Sequence, residues 1–298
     1  IRGSLDQDSP LLAPRPYLDR IVSGDAFDPL LLQILPRSQE NESGPQYLRD
    51  PLQEGYLITP TRGLIQKYNG RALVITTGAC AINCRYCFRR HFPYGDNNPS
   101  SSDWAGIYQR LASDASISEV ILSGGDPLIL GDRQLSDIIA KLDSIETVNT
   151  IRLHTRLPIA IPQRICPRLL DWVNQCRKKV VFVLHTNHPS EIDDHVVDAV
   201  RALRDAGATL LNQSVLLRDV NDSPEVLVML SRRLFDAGVL PYYLHLLDPV
   251  AGAQHFDVPE LDGVNLIRQI SGQLPGYLVP RLAREIPGAD AKQVIAGQ

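Results

Sequence analysis

Short apolar segments alternate with longer segments of mixed polarity along most of the chain, from residue 71 onward. The apolar segments have the length of buried strands, and the longer segments repeat their apolar positions at the spacing of an amphipathic helix. We predict six strands, at residues 72–77, 119–123, 150–154, 180–185, 209–215 and 241–246, separated by helices that include 103–112, 133–142, 192–206 and 224–237. Strands and helices that alternate in this way form βα units around a parallel sheet.

Six consecutive units predict an α/β fold, an incomplete TIM-like (β/α)6 barrel rather than a closed barrel of eight strands. Right-handed crossovers bring the carboxyl ends of all strands to one face, where barrel enzymes carry their chemistry. Residues 1–60 are rich in proline and acidic residues and contain two short helical patches. The predicted organisation is an N-terminal helical extension (1–60), a partial barrel (61–250) and a C-terminal segment (251–298).

The composition argues against several classes of protein. Hydrophobic residues make up 44% of the 298 positions, which is ample for a large core. A net charge of −4 argues against general nucleic-acid binding, which leaves a basic surface. There is no signal-peptide pattern and no apolar run near the ~18 residues of a membrane-spanning helix. We expect a cytoplasmic protein whose partners include neither nucleic acid nor a membrane.

Three of the five cysteines follow the first predicted strand, and Cys80, Cys84 and Cys87 are separated by three and two residues. Such short spacers let one loop reach three corners of a [4Fe–4S] cube, whose irons take thiolate ligands. The spacing resembles that of radical S-adenosylmethionine (SAM) enzymes, in which SAM chelates the fourth iron. A partial zinc site is the alternative for three cysteines at arbitrary spacing. Cys166 and Cys176, on either side of an apparent helix, are interpreted as structural thiols.

Polar residues also stand at the end of every predicted strand. After the second strand come Ser123, Gly124, Gly125 and Asp126. Paired glycines let the backbone approach a ligand without a Cβ in the way, although a tight βα connection has the same requirement. Beside the cysteine loop, this turn is predicted to bind the methionine part of SAM.

Several charged residues have a surface interpretation and a binding interpretation. A loop lysine is usually solvated, but it can form a Schiff base with an aldehyde cofactor. An arginine beside the cysteine loop can clamp a carboxylate at two points. A phosphate needs cations, and an ammonium needs carboxylates. The candidates, in chain order, are Lys67, Arg71, Arg89, Asp248, Glu285 and Lys292.

From residue 50 to residue 292 the sequence resembles the lysine 2,3-aminomutase family of radical SAM enzymes. The motifs that carry the resemblance include Lys-Tyr-Asn-Gly-Arg at 67–71, the cysteine loop, Ser-Gly-Gly-Asp-Pro at 123–127 and Asn-Gln-Ser-Val-Leu-Leu-Arg at 212–218. Residues 87–94 and 278–285 are most similar to the elongation factor P (lysine) 2,3-aminomutase branch. Those bacterial enzymes make (R)-β-lysine from L-α-lysine for attachment to elongation factor P.

The resemblance implies a role for each candidate. Cys80, Cys84 and Cys87 would ligate the cluster, and Ser123, Gly124, Gly125 and Asp126 would contact SAM. Lys292 would carry pyridoxal 5′-phosphate (PLP), with Arg71 and Lys67 near the phosphate. Arg89 would bind the α-carboxylate of the substrate, and Asp248 with Glu285 would receive the ε-ammonium of lysine.

The resemblance also implies a reaction and its partners. An electron donor of the flavodoxin or ferredoxin type would reduce the cluster, SAM would be cleaved to a 5′-deoxyadenosyl radical, and the amino group would migrate on PLP. Elongation factor P, its lysyl ligase and a second copy of the chain are further expected partners. Two alternatives stay open: a mutase acting on another amino acid, such as glutamate or arginine, and a non-catalytic iron–sulfur or zinc-binding module. The acidic pair favours a cationic substrate side chain over glutamate.

Two positions depart from the family pattern. Glu285 stands where the free-lysine mutases have Asp, so its side chain is one methylene longer. Lys292 is followed by Gln-Val instead of Thr-Pro, and the chain ends six residues later. The assignment of Lys292 therefore depends on its position rather than on a complete motif.

Overall fold

The computed structural model describes residues 10–57 and 59–297. Within these residues, nine strands form one sheet whose spatial order is the order of the sequence. The strands are β1 (Leu64–Ile65), β2 (Arg71–Thr77), β3 (Glu119–Gly124), β4 (Thr150–Thr155), β5 (Lys179–Leu184), β6 (Thr209–Val215), β7 (Leu240–His245), β8 (Arg281–Arg284) and β9 (Gln293–Ala296). Strands β2 to β8 pair in parallel, and β1 and β9 pair antiparallel at the two edges.

Helices connect the parallel strands, and the described residues contain α1 (Arg15–Leu18), α2 (Pro29–Leu32), α3 (Tyr94–Asn97), α4 (Ser101–Ser113), α5 (Asp132–Asp143), α6 (Leu157–Ala160), α7 (Pro167–Gln175), α8 (Asp194–Asp205), α9 (Pro224–Asp236) and α10 (Glu260–Ser271). Side chains cap the N-termini of several of these helices. Ser100, Asp193 and Ser223 each accept a hydrogen bond from a backbone N–H in the first turn of α4, α8 and α9. These caps satisfy donors that have no partner within the helix.

The strands divide their side chains between an apolar layer under the helices and a polar interior. In β4, Ile151 and Leu153 are buried in the core shared with α5 and α7, while Arg152 and His154 alternate with them and are partly buried on the other side. A strand places successive side chains on opposite faces, so one strand can serve both surfaces. The interior face is therefore available for polar chemistry.

The N-terminal extension packs against the cysteine loop. Tyr17, Leu30 and Ile34 are fully buried in a cluster that includes Ile82 of that loop. The backbone N–H of Arg85 donates to the carbonyl of Gln33 at 2.9 Å, and that of Asn83 donates to Leu12 at 2.9 Å. The loop is thus fixed from the barrel and from the extension.

The predicted fold class is confirmed: all six predicted strands are present with ends within one residue of the prediction, and they pair in parallel. Strands β1, β8 and β9 were missed because segments of two to four residues carry too little periodicity. The last two extend the sheet into residues 251–298, and the predicted domain boundaries stay a prediction. None of the helices in the described residues is both long and apolar enough to cross a membrane.

Candidate active site

The cysteine loop and the Gly124-Gly125 turn touch through their backbones. The N–H of Gly125 donates to the carbonyl of Thr77 at 2.7 Å, and that of Asp126 donates to Ala79 at 2.9 Å. A Cβ on Gly125 would lie 2.2 Å from the Ala79 carbonyl oxygen. Gly124 has φ +119°, a conformation that other residues rarely adopt. In this structure the paired glycines bring the turn against the cysteine loop.

Asp126 ties this turn to the end of β4. Its buried carboxylate accepts four hydrogen bonds, two on each oxygen, from the hydroxyl of Thr155 (2.7 Å) and from the backbone N–H groups of Leu128 (3.0 Å), Arg156 (2.7 Å) and Leu157 (3.1 Å). These bonds give Asp126 a structural role at the barrel rim. Its predicted contact with SAM, like that of Ser123, Gly124 and Gly125, stays a prediction.

The three cysteines of the loop are partly buried thiols that influence one another. Burial, together with the neighbouring Cys84, raises the pKa of Cys87 to about 11. Burial and the nearby Cys87 and Cys84 raise the pKa of Cys80 above its ordinary range. Such thiols stay protonated at neutral pH until a metal replaces the proton. Three mutually close, soft donors on one loop fit the ligand set of a [4Fe–4S] cluster.

No three His, Cys, Asp or Glu side chains among the described residues converge closely enough to hold a single metal ion. An iron–sulfur cube has a different requirement, because each thiolate binds a different iron.

Arg89 is buried beside the cysteines and held on several sides. Its Nε and Nη2 donate to the carboxylate of Glu54 at 2.6 and 2.7 Å, and its Nη1 donates to the Ser123 hydroxyl at 3.1 Å. The guanidinium carbon lies 4.9 Å from the ring centroid of Phe88 and 5.9 Å from that of Phe92. Glu54 has no role predicted from the sequence, where its sole signal is that it falls inside the region of family resemblance.

A second group of charges surrounds Glu285, directly after β8. Its carboxylate accepts hydrogen bonds from Lys67 Nζ (2.6 Å) and the Tyr68 hydroxyl (2.5 Å) and forms an ion pair with Lys292 Nζ. Burial alone would raise the pKa of Glu285, but Lys292, Lys67 and Tyr68 lower it to about 2. The guanidinium of Arg71 lies 4.9 Å from the ring centroid of Tyr68. The predicted cofactor cations and the predicted substrate carboxylate are therefore in one cluster.

Asp248, after β7, connects the two groups electrostatically. Burial and the negative charge of Glu285 raise the pKa of Asp248 to about 7, whereas Lys292 and Lys67 act in the opposite direction. Glu54, the partner of Arg89, also raises it. Its carboxyl is thus within range of both charge groups. Three interior histidines line the same space: burial, with nearby cations contributing, lowers the pKa of His154, His185 and His245 and keeps them neutral at pH 7.

The predicted site residues therefore fall into two groups. We call the first group the cysteine end: Cys80, Cys84, Cys87, Arg89, Ser123 and the added Glu54. We call the second group the lysine end: Lys67, Tyr68, Arg71, Asp248, Glu285 and Lys292. Glu54 and Tyr68 were not predicted from the sequence; Tyr68 directly follows the selected Lys67, whereas Glu54 lies 13 positions before it.

Comparisons with known proteins identify the family of the chain. The model of the Radical SAM superfamily matches residues 74–230. L-lysine 2,3-aminomutase of Escherichia coli (strain K12) is 45% identical over 282 residues, which cover 95% of this chain and 82% of that protein. The L-lysine 2,3-aminomutases of Haemophilus influenzae and Buchnera aphidicola are each 42% identical, covering 96% and 95% of this chain and 84% and 83% of theirs. The chain belongs to the lysine 2,3-aminomutase family of radical SAM enzymes.

Proposed function

We propose that this enzyme is a PLP-dependent lysine 2,3-aminomutase that converts L-α-lysine to (R)-β-lysine, and that the product modifies elongation factor P. The observation that carries the substrate class is the charge pattern of the interior. A buried arginine, Arg89, lies at the cysteine end, and two carboxylates, Asp248 and Glu285, lie at the lysine end. Lysine presents a carboxylate and a distal ammonium, which match these charges. A glutamate side chain would instead place a carboxylate against carboxylates.

The cysteine end supports radical generation. We assign Cys80, Cys84 and Cys87 as the cluster ligands, because their spacing and mutual proximity fit a cube with one open iron. When bound, the cluster supplies the electron that cleaves SAM to methionine and a 5′-deoxyadenosyl radical. The hydroxyl of Ser123 accepts a hydrogen bond from Arg89 and keeps its own proton to donate to SAM. The rings of Phe88 and Phe92 lie against the guanidinium of Arg89 and limit the access of water to it.

Arg89 keeps donors for a carboxylate although it is already paired. The described residues take three of its five N–H donors: Glu54 takes two and Ser123 takes one. The remaining N–H groups on Nη1 and Nη2 form the edge that binds a carboxylate in two-point geometry. Glu54 therefore orients the guanidinium and leaves that edge for the α-carboxylate.

The lysine end fits PLP through its donor set. An aldehyde with a phosphate needs a primary amine and nearby cations, and Lys292, Lys67 and Arg71 provide them. When bound, PLP supplies an imine π-system across which the amino nitrogen moves. Glu285 forms an ion pair with the Nζ of Lys292, so this pair has to separate before the amine can react. Asp248 offers a carboxyl, with a pKa of about 7, to an incoming ammonium.

The test is anaerobic reconstitution with iron and sulfide, followed by PLP, SAM, a reductant and L-lysine. Products are resolved by chiral chromatography, and L-arginine and L-glutamate are run in parallel. Formation of (R)-β-lysine with 5′-deoxyadenosine supports the proposal. Cleavage of SAM with β-product from another amino acid contradicts the lysine assignment, and iron uptake without PLP binding contradicts the role of Lys292.

The elongation factor P role has weaker and separate support, namely the similarity of residues 87–94 and 278–285 to that branch. It is tested by hydrolysing elongation factor P from cells with and without this chain and measuring β-lysine. Equal amounts in both samples contradict it.

A further inference from the structure

Arg156 lies beneath the cysteine loop, directly after β4, and its side chain is buried. Its Nη1 donates to the Sγ of Cys84 at 2.7 Å and to the hydroxyl of Tyr86 at 2.7 Å. Its Nη2 donates to Glu191 (2.8 Å), Gln33 (2.8 Å) and Tyr17 (3.2 Å). The guanidinium thus reaches a cysteine that we assign as a cluster ligand. The resemblance to known enzymes gave it no role.

Arg156 is fixed in place by buried partners. Glu191 is fully buried, and besides Arg156 it accepts from Gln33 Nε2 (3.2 Å) and from the backbone N–H groups of Asn187 (3.0 Å) and His188 (3.1 Å). Gln33 belongs to the N-terminal extension, so the extension helps to hold the guanidinium. A group held this firmly presents its N–H to Cys84 in one geometry.

The charges near Cys84 act in opposite directions. The positive charge of Arg156 and its N–H···S hydrogen bond stabilise extra electron density on the sulfur, which favours the reduced cluster. The negative charge of Glu191, on the far side of the guanidinium, reduces that effect. Burial leaves little water or salt to screen either charge.

We propose that Arg156 is a positioning residue that raises the reduction potential of the iron–sulfur cluster through its hydrogen bond to Cys84, and that Glu191 limits the increase. The proposal rests on the assignment of Cys84 as a cluster ligand. It does not depend on PLP, on lysine or on elongation factor P.

The test compares reduction midpoints of reconstituted full-length variants without PLP or substrate. Arg156→Gln removes the charge, Arg156→Lys keeps the charge with fewer donors, and Glu191→Gln removes the opposing charge. Arg164→Gln is the matched control, because Arg164 also contacts a thiol, Cys166 at 3.7 Å, and a carboxylate, Asp132 at 2.7 Å, outside the cysteine loop. The fraction of reduced cluster is measured by electron paramagnetic resonance at set potentials.

At the wild-type midpoint, we expect the ratio of reduced to oxidised cluster in Arg156→Gln to fall about tenfold, equivalent to about 59 mV for one electron. The ratio for Arg156→Lys should lie between those of Arg156→Gln and wild type. Glu191→Gln should raise the ratio above the wild-type value. The control, Arg164→Gln, should have the wild-type ratio. Midpoints of the Arg156 variants equal to the control overturn the proposal. If Arg156→Gln takes up no iron, Glu191→Gln decides, since an unshifted midpoint there also overturns it. A wild-type chain that takes up no iron overturns the ligand assignment itself.

Discussion

The cysteine end and the lysine end of the interior are stabilised by different forces. At the cysteine end, the Gly125 backbone fits against the loop so closely that a Cβ would lie 2.2 Å from the Ala79 carbonyl oxygen, and the thiols of Cys80 and Cys87 have raised pKa values. At the lysine end, Glu285 forms ion pairs with both Lys67 and Lys292. The first end is shaped by backbone contact, and the second by ion pairs.

This difference predicts how each end responds to change. At Cys80 and Cys87, burial outweighs the nearby positive charge of Arg89 and keeps the pKa raised, so metal binding is needed to hold these groups as thiolates. At the lysine end, Glu285 is ion-paired with Lys67 and Lys292, so each incoming charge has to exchange with one of these partners. Loss of one cysteine should therefore abolish a function outright, whereas loss of a charged residue that neither carries the cofactor nor clamps the carboxylate should shift affinities and pH dependence.

The largest effect is expected from Cys84→Ser. Removing one of three ligands leaves the cube with two thiolates, and we expect iron and sulfide content and SAM cleavage to fall to background. Cys166→Ser is the control, because that thiol lies near Arg164 and Asp132 rather than in the cysteine loop. Full iron content in Cys84→Ser, measured after anaerobic reconstitution, would falsify the ligand assignment.

Lys292→Ala should abolish amino transfer but spare the cysteine end. We expect no PLP absorbance and a loss of at least about a thousandfold in β-lysine formation, with iron content unchanged. Lys141→Ala, a change of an exposed lysine on α5, should behave as wild type. PLP bound at wild-type levels in Lys292→Ala would show that another amine carries the cofactor, with Lys67 the first candidate.

The contrast between the two ends also explains what the sequence could predict. The six apolar strands and the cysteine spacing are local patterns, so a few consecutive residues are enough to recognise them. The pairs that complete the site join distant residues: Glu54 and Arg89 are 35 positions apart, and Lys67 and Glu285 are 218 apart. A lone Glu54 has the appearance of a surface residue until its partner is known. Arg156 directly follows β4, but its contact with Cys84 depends on tertiary packing.

Arg89 is the cysteine-end residue in which the two kinds of stabilisation meet, because it is packed between rings and ion-paired. Arg89→Ala should abolish turnover and leave the cluster intact, as judged by its absorbance. Glu54→Gln should raise the KM for lysine about 10- to 100-fold with a smaller change in kcat, because the guanidinium loses its orientation.

Glu54→Gln should also cost stability, because breaking a buried pair costs about 3–5 kcal/mol. Asp50, which accepts from the backbone N–H groups of Glu54 and Gly55, offers the control: Asp50→Asn perturbs the same turn without removing the partner of Arg89. An equal increase in KM for both variants would mean that Glu54 acts through the structure of the turn and not by orienting Arg89. Chemical denaturation and steady-state kinetics on the same preparations separate the two effects.

The smallest expected effect concerns Asp248 and pH. Its pKa of about 7 means that it is mostly neutral at pH 6 and mostly ionised at pH 8. If the ionised form binds the ε-ammonium, the KM for lysine should fall about tenfold as pH rises from 6 to 8. Glu285, with a pKa of about 2, stays ionised throughout and contributes nothing to this change. Asp248→Asn should therefore show a high KM without this dependence.

The stability of the enzyme should respond to pH in the opposite direction. Folding raises the pKa of Asp248 above its ordinary 3.8, so the folded protein holds the proton more tightly than the unfolded chain. The contribution of Asp248 to stability is then greatest at low pH and is lost as pH rises through about 7. Asp248→Asn removes this loss, so the free energy of unfolding at pH 8 should increase. Each 1 kcal/mol of that increase should raise Tm by roughly 2–4 °C. Near pH 4 the substitution should give no gain in Tm. A variant that loses Tm at pH 8 would mean that the carboxylate of Asp248 is stabilised by the cations of the lysine end more than it is destabilised by burial.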